Sequence, residues 1–160
     1  PISHRASTLA LESLYNPGIF LEFILDGSHI QKKAIQLLLD VAQDRLIAVT
    51  DAISAAGMPD GEINLGKLSV IVQDGVAKLK GSDLLAGSTL TMNKAYKFLM
   101  DNFDVSPVKA VNYFSTNPAR VYNLENVGSI EVGKLANFVI VNNENEVVSV
   151  VYKGEVVSPA

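Results

Sequence analysis

At 160 residues, 48% apolar and 19% charged, the chain has the make-up of one ordinary globular domain rather than of a disordered segment. It is too short to close an eight-stranded α/β barrel, and its 13 Lys and Arg residues are scattered within a net charge of −4, which argues against nucleic acid as the main partner. No apolar run approaches the roughly 18 residues of a membrane span, no signal peptide opens the chain, and the lack of cysteine removes disulfides and thiolate metal sites. A soluble, cytoplasmic protein is the expectation.

In chain order, Ser7 to Leu14 predicts a helix that Asn16-Pro17-Gly18 ends. The nearly continuous apolar run Gly18 to Leu25 suits a strand covered on both faces, as in a parallel sheet. From Gln31 to Gln43 the apolar positions Ala34, Ile35, Leu37, Leu38, Val41 and Ala42 recur at helical spacing, and Arg45 to Thr50 reads as a second buried strand. Strand, helix and strand over about 35 residues make one βαβ unit.

Farther on, Leu68 to Gln73 and Val76 to Lys80 flank Asp74-Gly75, a hairpin signal because the primed turn needs positive φ at both central residues. Helices are expected over Ser88 to Asp101 and Ser106 to Phe114. Ser88 and Ser106 are suited to cap them, and Pro107 at the first helical position loses no needed N–H. Asn117-Pro118-Ala119-Arg120 reads as a helix stop. The tail holds strands at Phe138 to Val141 and Val147 to Tyr152, joined through Asn142–Glu146, with Lys153-Gly154 leading into Glu155-Val156-Val157. Two parallel strands cannot close a barrel, and their edges and both apolar faces are expected to be left uncovered by the chain itself.

In parallel α/β sheets, ligands gather at the carboxyl ends of the strands. The first strand runs into Asp26-Gly27-Ser28-His29 and the second into Thr50-Asp51-Ala52, so an imidazole and a carboxylate emerge on one rim. An Asp in that position can move a proton, especially beside a metal-bound water. It can equally cap the following turn, and His29 can equally pack at a helix start; the pattern alone leaves both open.

Three segments together resemble the N-acetylglucosamine-6-phosphate deacetylases of the amidohydrolase superfamily: Asp26-Gly27-Ser28-His29-Ile30, then Val49-Thr50-Asp51-Ala52 with Ala55-Ala56-Gly57, then Leu85-Ala86-Gly87-Ser88-Thr89-Leu90-Thr91-Met92. Pro1-Ile2-Ser3-His4-Arg5 is similar to the segment after that family's last metal-binding His, and Gly128 to Ile140 is shared across the superfamily. The resemblance covers almost the whole chain as the C-terminal portion of such an enzyme.

It implies an α/β fold: the last two strands of a TIM-type (β/α)₈ barrel (residues 1–62 and 84–122), a β-hairpin at 63–83, and the C-terminal half of a small β-sandwich at 123–160. It also implies that Asp51 is the catalytic base and later acid. His29, Arg5 and the loop Leu85, Ala86, Gly87 would bind the phosphorylated amino sugar, with Arg5 on the phosphate. The implied cofactor is a divalent metal, zinc or iron. Its ligands in the family, one Glu and two His, have no counterpart here, where His4 and His29 are the only histidines. A hydrolytic metal needs about three protein ligands, so the ligands are expected upstream of this chain and the chain alone is expected to be inactive. The complete enzyme is expected to be a homodimer. Rival readings are another amidohydrolase, such as a cyclic amidase or deaminase, and a non-catalytic, self-associating barrel fragment.

Overall fold

The computed structural model describes residues 8–157, so His4 and Arg5 lie outside the described residues. Helix α1 (Leu9–Tyr15) starts where the Thr8 hydroxyl accepts from the Leu11 amide, and ends at Asn16. Its last carbonyls would otherwise lack donors. Arg45, thirty residues on, reaches back to supply them, donating to the carbonyls of Ser13 at 2.9 Å, Asn16 at 2.8 Å, Ile19 at 2.6 Å and also Leu14.

Strands β1 (Leu21–Ile24) and β2 (Leu46–Val49) pair in parallel from Leu21↔Leu46 to Ile24↔Val49, with helix α2 (Lys32–Val41) as the crossover. This is the expected βαβ unit. One side of the strand pair packs under α2 and the later helices: Phe23, Leu25, Ile35, Leu39, Leu46, Ala48, Ala95, Leu99 and Ala110 form one core with Tyr113, which meets Phe23 edge-on at 6.1 Å. Burial, and then the charge of Asp44, pushes the Tyr113 phenol up to about 12, so it stays neutral inside that core. Leu46, Ile47 and Ala48 are all buried. That corrects the expectation of two wet faces for β2, which the chain's own residues cover on both sides; in β1, Glu22 stays exposed and Leu21 and Ile24 are half-buried.

A second sheet follows, β3 (Gly61–Leu65), β4 (Leu68–Gln73) and β5 (Val76–Leu79), antiparallel in that order. The β4–β5 turn has Asp74 at φ 51° and Gly75 at φ 71°, as the Asp-Gly signal predicts. β3 was not expected. Its signals are the alternation of Ile63 and Leu65 and the turn at Gly66, where φ is 60°. Val70, Val72 and Ala77 of this sheet join Ala55 and Ala86 in a small separate core.

Helix α3 (Met92–Asn102) begins four residues after Ser88. Ser88 is therefore not its cap; it is buried and occupied elsewhere. Helix α4 (Pro107–Val111) opens on Ser106, whose hydroxyl accepts from Lys109 N as expected. Asn117-Pro118 does not stop the helix. A π turn over Asn112–Thr116 carries α4 into α5 (Asn117–Val121), and Asn117 N bonds to the Asn112 carbonyl five residues back. The wider turn changes the bonding register just where Pro118 cannot donate. The Asn117 side chain donates to the carbonyls of Asp44 and Leu46, tying this helix to the start of β2.

The tail forms a third sheet, β6 (Phe138–Val141), β7 (Val147–Tyr152) and β8 (Glu155–Val157), antiparallel in that order and matching the expected strands. Among the described residues, no helix is long and apolar enough to cross a membrane.

Candidate functional site at the strand rim

Beyond β1 the chain turns sharply through Gly27 at φ 72°, where a Cβ would press on the Phe98 ring of α3 at 3.1 Å. Asp26 organises that turn. One carboxylate oxygen accepts from Ser28 N and His29 N, each at 2.9 Å; the other takes His29 Nδ1 at 2.6 Å. Burial is the largest single influence on Asp26 and opposes its charge. The His29 amide, the His29 ring, the Ser28 amide and the imidazole's charge together outweigh it and hold the carboxyl below its ordinary range. An ionised Asp26 can only accept, so the proton sits on Nδ1 and Nε2 is the nitrogen left for a ligand.

The β1–β2 register puts Asp26 and Asp51 each two residues past the pair Ile24↔Val49, so both reach the same rim. Asp51 has left-handed backbone, φ 50°, and an exposed side chain. Its carbonyl accepts from Ser88 N at 2.8 Å, Ile53 N donates to Ser88 O at 2.9 Å, and the Ser88 hydroxyl donates to the Thr50 carbonyl. Residues 87–88 thus continue the sheet past the end of β2, with Ala52 and Ser88 as a parallel bridge.

Only glycine fits at position 87. At φ 75°, a Cβ would lie 2.6 Å from Ile53 Cγ2, 3.1 Å from the Asp51 carbonyl oxygen and 3.6 Å from Asp51 Oδ2. The other side of the loop pairs with β5, through Leu79 N to Leu84 O and Ala86 N to Ala77 O, both at 3.0 Å. The loop 85–88 is clamped between two sheets, and its glycine lies against the Asp51 carboxylate.

Asp26, Ser28, His29, Leu85 and Gly87 line one cavity of about 270 Å³, closed by the Asp74–Gly75 tip and by Lys94 of α3. The tip is held on both sides: the Asp60 carboxylate accepts from the amides of Asp74 and Gly75, and the Thr89 hydroxyl donates to the Gly75 carbonyl. Of the expected site residues, His29, Leu85 and Gly87 meet here. Asp51 stands next to Gly87 without lining the cavity. The Ala86 side chain turns away into the small core, and Arg5 lies outside the described residues. Lys94 and the hairpin tip were missed; their place depends on contacts between segments far apart in the sequence.

A larger cavity of about 560 Å³, between α3, α4 and the β6–β7 sheet, is lined mainly by apolar side chains such as Tyr96, Val111, Phe114 and Phe138. It holds none of the expected site residues. No three His, Asp or Glu side chains among the described residues converge to hold a metal. The donor set among the described residues therefore does not by itself fit a hydrolytic metal.

A helix-connected parallel strand pair, with an imidazole–carboxylate pair and a second carboxylate at its carboxyl rim, is an α/β arrangement. The amidohydrolase family model matches residues 18–157, and the chain belongs to the amidohydrolase family. The family is generally metal-dependent.

Among relatives, the chain is 33% identical to a protein of Escherichia coli (strain K12) named "Putative N-acetylgalactosamine-6-phosphate deacetylase", covering 98% of this chain and 94% of that one. It is 34% identical to the N-acetylglucosamine-6-phosphate deacetylase of Vibrio furnissii, covering 99% of this chain and 40% of that one. The structure of the N-acetylglucosamine-6-phosphate deacetylase from Thermotoga maritima matches 98% of this chain and 43% of its own, with a TM-score of 0.91 and 34% identity. The chain thus spans about two-fifths of the Vibrio furnissii and Thermotoga maritima proteins.

Proposed function

We propose that this chain is the C-terminal portion of a metal-dependent deacetylase that hydrolyses N-acetylglucosamine 6-phosphate to glucosamine 6-phosphate and acetate. The observation that carries the reading is Asp51 at the strand rim, its backbone bonded to Ser88 and its carboxylate beside Gly87 of the loop that lines the His29 cavity. Asp51 takes a proton from the attacking water as its oxygen adds to the acetamide carbon, and returns one to the nitrogen as the C–N bond breaks. His29 and the loop Leu85, Ala86, Gly87 hold the sugar, and Arg5 serves the phosphate. The metal, zinc or iron, would be held by ligands outside this chain. The 160-residue chain by itself then hydrolyses no amide.

In the same reading, β1 and β2 are the last two strands of a (β/α)₈ barrel over 1–62 and 84–122. The β3–β5 region near 63–83 is an insertion, and 123–160 completes a small sandwich. A cytoplasmic homodimer of amino-sugar catabolism accords with it. A second reading, N-acetylgalactosamine 6-phosphate as substrate, is favoured by the names of two E. coli relatives at 33% identity.

Acetate release by the complete enzyme, measured on both phosphorylated sugars and on N-acetylglucosamine, is the test. Turnover confined to phosphorylated N-acetyl sugars is expected, with the 4-epimers deciding between the two readings. Preferential turnover of a cyclic amide or an aminopurine would hand the chain to the other amidohydrolases.

A further inference from the structure

Asp26 does more at the rim than close a turn. A side-chain turn of this kind needs one oxygen, which Asn or Ser supplies as well as Asp. Here one oxygen already accepts from Ser28 N and His29 N, and the second is committed to His29 Nδ1 at 2.6 Å. The two amides fix the carboxylate to the backbone, and the carboxylate fixes the ring. The Phe98 ring packs against the turn at Gly27, so the pair has a solid floor. The side chains of His29 and Asp26 are only 18% and 15% exposed, and water competes little for the bond between them.

His29 lines the cavity with Leu85 and Gly87, and among the described residues its Nε2 bonds to nothing. A neutral imidazole carries one proton, on either nitrogen. A carboxylate at Nδ1 has no proton to give, so it selects the Nδ1–H form and makes Nε2 an acceptor.

We propose that Asp26 is a positioning residue of the sugar site: through Nδ1 it holds His29 in the one tautomer whose Nε2 accepts from a substrate hydroxyl. The proposal rests on the deacetylase reading for its substrate and adds to it a residue that acts only through His29. Asp26→Asn separates this role from the turn. The amide oxygen can still accept from Ser28 N and His29 N, but its NH₂ donates to Nδ1 and drives the ring proton to Nε2, which then no longer accepts.

Two measurements test it. The first is the imidazole ¹⁵N spectrum of the 160-residue chain at about pH 9, where imidazoles are ordinarily neutral. The chain has two histidines, and His4→Gln assigns the signal of His29. Wild type should carry the proton on Nδ1, and Asp26→Asn should carry it on Nε2 with the amide spectrum of β1 and β2 in place. A wild-type proton on Nε2 would overturn the proposal even if Asp26→Asn failed to fold, and so would an unchanged tautomer in the folded variant.

The second is a double-mutant cycle in the complete enzyme on its phosphorylated sugar. Asp26→Asn and His29→Gln should each raise KM by about three- to tenfold, the worth of one hydrogen bond, and the double variant should cost no more than His29→Gln alone. Additive losses, or a normal KM in Asp26→Asn, would overturn the proposal. Absence of turnover on any phosphorylated N-acetyl sugar would remove the deacetylase reading and the substrate half of the proposal with it, whereas the spectrum alone decides the tautomer.

Discussion

The parallel pair β1–β2 and the antiparallel sheet β6–β8 are both written in Val, Ile, Leu and Phe, yet β2 is covered on both faces and the tail sheet is mostly open. Leu46, Ile47 and Ala48 of β2 are buried to 0%, 3% and 2% exposure, whereas Val139, Val156 and Val157 of the tail sheet stand at 56%, 71% and 47%. A run of β-branched residues signals a strand in either place. It does not say what will lie on the strand, because that depends on helices whose positions are set elsewhere in the chain. In this molecule α2, α3 and α4 close over the sheet that carries the Asp26–His29 rim, and the tail sheet stays largely open. The rim is thereby given a rigid floor.

Substitution can break or sharpen that contrast. Leu46→Ala should destabilise the chain by about 2–5 kcal/mol, the range for deleting a fully buried leucine side chain, read as a fall in the urea midpoint. A loss below 1 kcal/mol would mean that the core over β1–β2 is loose. A smaller, pH-dependent effect belongs to Asp26. Its folded carboxyl sits below the ordinary range, so the stability it lends is complete above the unfolded value of about 4 and is lost as the pH falls through the folded value. Asp26→Asn should therefore flatten that part of the acid-side slope and leave the slope near neutrality alone, as thermal melts across pH 2–7 would show. An unchanged acid slope would separate Asp26 from the turn's stability. The smallest effect should come from the tail: Val156→Ala is expected to stay within about 0.5 kcal/mol, as for an exposed side chain. A cost above 1 kcal/mol would show that the β6–β8 face is covered in solution after all.

Much of this was legible in advance, for local reasons. The βαβ unit, the Asp74-Gly75 turn, the Ser106-Pro107 opening and the tail strands all follow from periodicity or turn chemistry, which act within a few residues. The misreadings have a common physical origin in contacts across long separations. Ser88 has a good capping side chain, but its place beside the end of β2 claims the hydroxyl for Thr50. Asn117-Pro118 would end an ordinary helix, but a π turn and two backbone carbonyls around the start of β2 keep it going. β3 carries weak alternation and forms because β4 offers it an edge. At the rim, Asp26, His29 and Gly87 were readable as motifs, whereas Lys94 and the hairpin tip enter only when α3 and the second sheet are brought to the cavity.

The central claim is that Asp51 moves the proton, and one comparison bears on it most directly. In the complete enzyme, kcat for N-acetylglucosamine 6-phosphate should be measured beside the Kd for that sugar, in wild type and in Asp51→Asn. The amide keeps the shape of the carboxylate without its basicity, so kcat should fall by about 10²–10⁴-fold while Kd changes little. A variant with near-normal kcat would contradict the account and leave Asp51 as no more than the end of a strand fastened to Ser88.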